Sequence, residues 1–319
     1  MSSGILSNIQ KIPFAFGGAA LSGEGEGYGF GPITENESIE LLQFALSCGV
    51  TIYDTAPIYG FHESEKRIGK AFRLDRDQVF IISKSGVTWN DHKRVDMTNR
   101  PEVAAKMLDD TLRALQFDFV DLYMVHWPDQ IVDIRKVLEV YVKEQQRGHI
   151  KHIGLCNTHA ADIAKAQEVC KIDVIQSEFN LFNQSAAELS DEIKKLNASF
   201  MSWGTLDKGI LTQRVHSKRT FDQSDCRSWA PWWKAQNLKL KISKVEVLKT
   251  ILDEYHYSLL QFAVSFNLSQ NFLTTIICGA KNKNELTSIL EAIKNKIPSE
   301  KVREICNRFE ETVKNKGLS

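Results

Sequence analysis

Four side chains able to take part in proton transfer, Asp54, Tyr59, Lys84 and His126, stand at or just beyond the ends of short apolar runs, within IYDTAPIYG, VFIISKSG and LYMVHWPD. They supply a carboxylate, a phenol, an ammonium and an imidazole, a set suited to protonating a carbonyl oxygen. A phenol with a reference pKa of about 10 is a weak acid at neutral pH, but an ammonium beside it in a dry site favours the phenolate. At an effective dielectric near 20, unit charges about 4 Å apart interact by roughly 4 kcal/mol, worth a few pKa units before desolvation opposes the shift. Lys84 is the candidate for that push, with Asp54 keeping it protonated and oriented. His126 can donate a hydrogen bond to the carbonyl oxygen or relay its proton. Taken singly each residue has a plainer role, as turn cap, packed ring or solvated charge, so the chemistry requires that the fold bring the four together.

Eight runs rich in β-branched and aromatic residues occur at 12–17, 50–55, 79–84, 119–126, 152–157, 173–180, 199–204 and 274–280. Helical patterns separate most of them: ESIELLQFALSC, ESEKRIGKAFR, PEVAAKMLDDTLRAL, IRKVLEVYVKEQQR, AADIAKAQEVC, SAAELSDEIKKL, VEVLKTILDEYHYSLLQFAVSF and ELTSILEAIKN. This alternation predicts parallel strands joined by crossover helices. Eight such units suffice to close an α/β (β/α)8 barrel of the TIM type, whose strands are apolar nearly throughout because helices cover the outside. The chain is read as one domain, 1–319, with long loops over the C-terminal face of the barrel. Strand ends converge on that face, which would bring Asp54, Lys84 and His126, at the ends of strands two, three and four, into one pocket with Tyr59. A doubly wound open sheet competes, but it usually carries GxGxxG after its first strand.

Here the first strand runs instead into GGAALSGEGEGYGFG, where Gly23, Gly25, Gly27, Gly29 and Gly31 alternate and Glu24 and Glu26 would repel a phosphate. A flexible loop over the barrel mouth is expected there. HESEK, at 62–66, lacks the second histidine of HExxH, so no metal site is expected. The segments 206–238, with Trp229, Trp232 and Trp233, and 86–99, with Trp89, are long enough to be lids, or hydrophobic clusters folded on themselves. The 40 basic and 40 acidic residues cancel, which argues against binding nucleic acid or anionic lipid. No apolar run approaches the roughly 20 residues needed to cross a bilayer, and MSSGILSNIQK lacks a signal-peptide core. The six cysteines form no CxxC pair, which suits reduced thiols and a cytoplasmic protein.

IYDTAPIYG, VFIISK, LRALQFDFVDLYMVHWPD, GHIKHIGLCN and WGTLDKGILT, in this order, resemble the aldo-keto reductase superfamily over nearly the whole chain. The resemblance implies a (β/α)8 barrel, NADPH or less often NADH as cofactor, and Asp54, Tyr59, Lys84 and His126 as the catalytic tetrad. Hydride would pass from the nicotinamide to a carbonyl carbon while Tyr59 donates the proton. Asn157 and Gln176 match the side chains that hydrogen-bond the carboxamide, and Trp203 matches the aromatic on which the nicotinamide stacks. In WGTLDKGILT, Gly204, Leu206, Lys208 and Gly209 match the pyrophosphate segment. In CGAKNKNEL, Gly279, Lys281, Asn282 and Glu285 match the segment around the adenosine 2′-phosphate, where Lys281 and Lys283 favour NADPH by charge. Three positions depart from the pattern: Thr205 and Cys278 stand where proline is common, and Ile289 where an asparagine usually lies near the adenine, leaving a side chain that can pack on a base edge without hydrogen-bonding it.

A small carbonyl or alcohol is therefore the expected partner, and an aromatic rim would favour apolar or planar substrates. The same site can run in reverse as a sugar or polyol dehydrogenase. A cofactor-sensing regulatory subunit is a further alternative, since some family members bind NADPH and attach to membrane channels. The C-terminal pattern SEKVREICNRFEETVKN could cap the rim or pack outside the barrel.

Overall fold

In the computed structural model, which describes residues 4–23 and 27–318, the expected strands form as β1 (Phe14–Gly17), β2 (Ile52–Asp54), β3 (Phe80–Ser85), β6 (Val120–Val125), β7 (Ile150–Cys156), β8 (Val174–Glu178), β9 (Ser199–Trp203) and β10 (Thr275–Cys278). They close into a barrel in the order β1-β10-β9-β8-β7-β6-β3-β2, every pair parallel. Two further strands, β4 (Val87–Trp89) and β5 (Val95–Met97), pair antiparallel as a hairpin beyond the end of β3. They lie in the segment read from sequence as a structureless loop.

Period-2 alternation sorts the barrel residues into two cores. Ala15, Ile52, Phe80, Ile82, Leu122, Met124, Cys156, Val174, Met201 and Ile277 point inward and fill the barrel together with Leu6 of the short helix Leu6–Ile9. Leu6 is fully buried, and its N–H donates to Ser199 Oγ at 3.0 Å. The alternate residues, among them Phe16, Tyr53, Ile81, Tyr123, Leu155, Ile175 and Phe200, face outward into the layer between strands and helices.

Local chemistry sets the helix ends. Thr34 and Glu37 form a capping box that starts Glu35–Ser47, and Pro101 at the first turn starts Pro101–Leu115, which ends on left-handed Gln116. A Cβ on Gly69 would lie 2.0 Å from the Leu115 carbonyl oxygen, so only glycine lets helix Glu63–Ala71 pack this closely on its neighbour. The long pattern at 245–266 is not one helix. It divides into Leu238–Glu254 and Leu259–Leu268, because His256 takes a left-handed φ of 58° and Ser258 caps the second helix through the Gln261 N–H. The C-terminal helix Ser299–Asn315 packs outside the barrel on those two helices, burying Val302, Ile305, Phe309 and Val313.

The segment 206–238 is only partly irregular. It holds 3-10 turns at Asp207–Thr212 and Cys226–Ser228 and the short helix Pro231–Lys234. Trp233 is buried with its ring 5.7 Å from Phe221, whereas Trp229 remains partly exposed and packs edgewise on Tyr28 at 5.2 Å. Segment 225–229 therefore joins the glycine-rich loop, with Cys226 N–H donating to Gly29 O at 2.9 Å. Glu24, Gly25 and Glu26 lie outside the described residues. No helix among the described residues is long and apolar enough to cross a membrane.

Candidate active site

The inward alternation that fills the barrel also delivers polar groups at its C-terminal end. Asp54 follows Ile52 on β2, Lys84 follows Ile82 on β3, and Gln176 follows Val174 on β8. His126 lies one residue beyond β6, its N–H donating to Ser85 O at 2.9 Å. Lys84, fully buried, donates to both oxygens of Asp54 at 2.8 and 2.9 Å and to Thr55 O at 2.9 Å. The Tyr59 ring centroid lies 5.4 Å from Nζ. The Tyr59 and His126 rings stand perpendicular, 6.1 Å apart. All four residues named from the sequence therefore meet at one place.

Burial governs the electrostatics. It would pull the Lys84 ammonium down, but Asp54 and then Tyr59 hold it above the ordinary lysine value. His126 is driven well below the usual histidine range by burial and then by Lys84, so its ring is neutral at pH 7. Burial pushes the Tyr59 phenol up to about 12, outweighing the Lys84 charge that lowers it. Burial thus overrides the expected push toward phenolate, and the phenol keeps its proton at neutral pH.

A layer of amides and sulfur adjoins the four. Gln176 Nε2 donates to Asp54 Oδ2 at 2.7 Å, and its carbonyl accepts from the Cys156 thiol at 3.2 Å. Asn157, at a left-handed φ of 55°, donates to His126 O at 3.0 Å and to Cys156 Sγ at 3.1 Å, and accepts from Trp203 Nε1 at 2.9 Å. Cys156 was not singled out from the sequence. Its inward register between two amide-bearing neighbours is the signal that could have found it.

Beyond β9 the chain turns sharply through Gly204 (φ 68°), Asp207 (42°), Lys208 (56°) and Gly209 (97°). Lys208 pairs with Glu178 and lies 5.3 Å from the Trp203 ring and 5.5 Å from that of Trp232, while Leu206 packs against the outer core. Two departures from the family pattern prove to be neighbours: the Thr205 hydroxyl donates to Ile277 O at 3.3 Å and lies against the Cys278 thiol. Lys281 Nζ donates to the carbonyls of Gly31 and Pro32, and burial lowers its pKa to about 8, with Asp225 opposing. Asn282 caps helix Lys283–Lys294 through Glu285 N–H at 2.9 Å. The Glu285 side chain accepts from Lys281 N–H at 2.8 Å and pairs with Arg214. Gly279 backs directly onto Ala20 and the Gly17 carbonyl. Ile289 is 3% exposed inside the outer core, so it offers no edge for a base to pack on. No cluster of three or more His, Cys, Asp or Glu side chains able to hold a metal occurs among the described residues.

Residues 13–307 match the model of the Aldo/keto reductase family. Aldo-keto reductase YhdN of Bacillus subtilis is 31% identical over 288 residues, covering 89% of this chain and 87% of that protein. Aldo-keto reductase yakc [NADP(+)] of Schizosaccharomyces pombe is 27% identical, covering 86% and 83%. The NADH-specific methylglyoxal reductase of Escherichia coli is 25% identical, covering 89% and 94%. Among solved structures, a glycerol dehydrogenase from Gluconobacter oxydans superposes with a TM-score of 0.80 at 25% identity, covering 96% of this chain and 97% of that one. The chain belongs to the aldo/keto reductase family.

Proposed function

We propose that the protein reduces an aldehyde or ketone to the alcohol with NADPH, Tyr59 donating the proton. The observation that carries this reading is the buried Asp54–Lys84 pair lying beside the perpendicular rings of Tyr59 and His126. When bound, the cofactor supplies the hydride. Tyr59, kept protonated by burial, gives its proton to the oxygen as negative charge develops there, since an alkoxide is the stronger base. The Lys84 ammonium stabilises the phenolate left behind, Asp54 holds Lys84 in place, and neutral His126 offers an N–H to the same oxygen. Solvent then reprotonates Tyr59.

The donor set beside the tetrad fits a carboxamide. Gln176 Nε2 has a second N–H beyond the one given to Asp54, and Asn157 Oδ1 has a second lone pair beyond the one used by Trp203. Trp203 adds a partly exposed aromatic face at the same strand ends.

NADPH over NADH rests on Lys281, with Lys283 close in sequence; one relative is named for NADP(+) and another as NADH-specific. Lys281 is protonated below about pH 8 and loses its charge above it. NADPH affinity should therefore weaken as pH rises past 8, while NADH affinity stays flat. Lys281→Ala should reduce NADPH affinity roughly tenfold to a hundredfold, the worth of one charge-assisted hydrogen bond, and remove that pH dependence. Fluorescence titration with both cofactors between pH 6.5 and 9.5 checks this, and an unchanged preference would remove Lys281 from the 2′-phosphate site.

Reduction itself is tested by following NADPH absorbance across aldehydes, ketones and sugars. The oxidative direction is the second reading, favoured by the likeness to a glycerol dehydrogenase. Faster NADP+ reduction by polyols than NADPH oxidation by any carbonyl would select it.

A further inference from the structure

The loop carrying Tyr59 runs through three successive left-handed residues, Gly60 (φ 66°), Phe61 (52°) and His62 (74°). Two of these are not glycine, and such a conformation persists only where the surroundings enforce it. Gly60 is explained by space: a Cβ there would lie 2.7 Å from the Ser22 carbonyl oxygen. His62 sits at the start of helix Glu63–Ala71 without capping it. Its Nδ1 instead lies 2.5 Å from Glu65 Oε2. The Glu65 side chain is fully buried, and its other oxygen accepts from Ser83 Oγ at 2.7 Å and Thr111 Oγ1 at 2.9 Å. Ser83 immediately precedes Lys84 on β3, facing the helices where Lys84 faces the barrel interior. One carboxylate thus ties the strand bearing Lys84 to the loop bearing Tyr59. On its other side the His62 ring meets Trp89 edgewise at 5.4 Å, and Trp89 packs on Phe61 at 4.8 Å.

We infer that His62, anchored on Glu65, is a positioning residue for the proton donor: it holds the Gly60–Phe61–His62 turn that presents Tyr59 to Lys84 and His126, and it seats the Trp89 hairpin on that turn. The inference rests on the reading of Tyr59 as proton donor. Its structural part, the anchoring of the turn, has a readout of its own, because Ser64 N–H donates to Tyr59 O at 3.2 Å and reports whether the turn is held.

Three variants separate anchoring from backbone tolerance. His62→Gly permits the left-handed φ but removes the donor, and His62→Ala removes both. His62→Asn restores an N–H at the same distance from the backbone as Nδ1 and tolerates left-handed φ. Single-turnover hydride transfer should fall roughly tenfold to a hundredfold in Ala and Gly, the usual cost of about 1 Å of misplacement. Cofactor Kd should be unchanged, and Asn should recover to within about threefold of the wild type. Hydrogen exchange at the Ser64 amide should accelerate in Ala and Gly but not in Asn. If Gly matches the wild type in rate and exchange, His62 serves only backbone conformation and the inference fails. If Ala leaves both unchanged, it fails as well. A wild type that turns over no carbonyl while the exchange pattern holds would overturn the reductase reading and leave the anchor standing.

Discussion

Lys84 is a charged side chain with no exposure to water, and it is tolerable there because both oxygens of Asp54 and the Thr55 carbonyl accept hydrogen bonds from it. Breaking such a pair by removing one partner typically costs about 3–5 kcal/mol, because the other charge stays buried and unpaired. Lys84→Met should therefore lower thermal stability sharply as well as activity. Adding Asp54→Asn should recover most of the stability and none of the activity. Thermal unfolding of the two variants checks this, and a single mutant as stable as the double would mean that the pair is screened by water. That Asp54, Tyr59, Lys84 and His126 would meet was legible in the sequence because each stands at or near a strand end. His62 and Glu65 were visible only as a failed metal motif. Glu65's other partners, Ser83 and Thr111, lie 18 and 46 residues away, and no local pattern announces such contacts.

At the scale of elements, the barrel strands were readable because a strand buried on both faces must be apolar along its length. The β4–β5 hairpin was not, since its strands are only three residues long, each broken by a polar residue at its centre, and carry no such run. The long helix at 245–266 was misread because apolar periodicity continues through the break, and left-handed His256 has no sequence signature. The hairpin nonetheless carries Trp89 to the rim beside Phe61 and His62. Trp89→Ala should raise KM for an aromatic aldehyde on the order of tenfold through lost apolar contact, with cofactor Kd unchanged. Steady-state kinetics comparing aromatic with short aliphatic aldehydes measures this, and an equal effect on both classes would place Trp89 outside the substrate rim. Reading a lid or a folded cluster in 206–238 as alternatives was too sharp a choice, because Trp233 is core while Trp229 covers Tyr28.

Across the whole molecule, the two ends of the barrel divide stability from chemistry. At the N-terminal end Leu6 completes the interior core, its N–H held by Ser199 at the start of β9. Leu6→Ala should cost about 2–5 kcal/mol of stability and leave kcat at a permissive temperature unchanged; a fall in kcat without loss of stability would show that the two ends are coupled. Barrel closure was predictable from eight alternating units, whereas the pairing of Thr205 with Cys278 across two strand ends appears only once the strands are placed. The central claim is that Tyr59 donates the proton. It is tested most directly by single-turnover hydride transfer from NADPH to an accepted carbonyl, wild type against Tyr59→Phe, with cofactor Kd measured in parallel. Loss of the donor should slow transfer at least a hundredfold, the typical worth of general acid catalysis, with Kd unchanged. Full-rate transfer by Tyr59→Phe would contradict it.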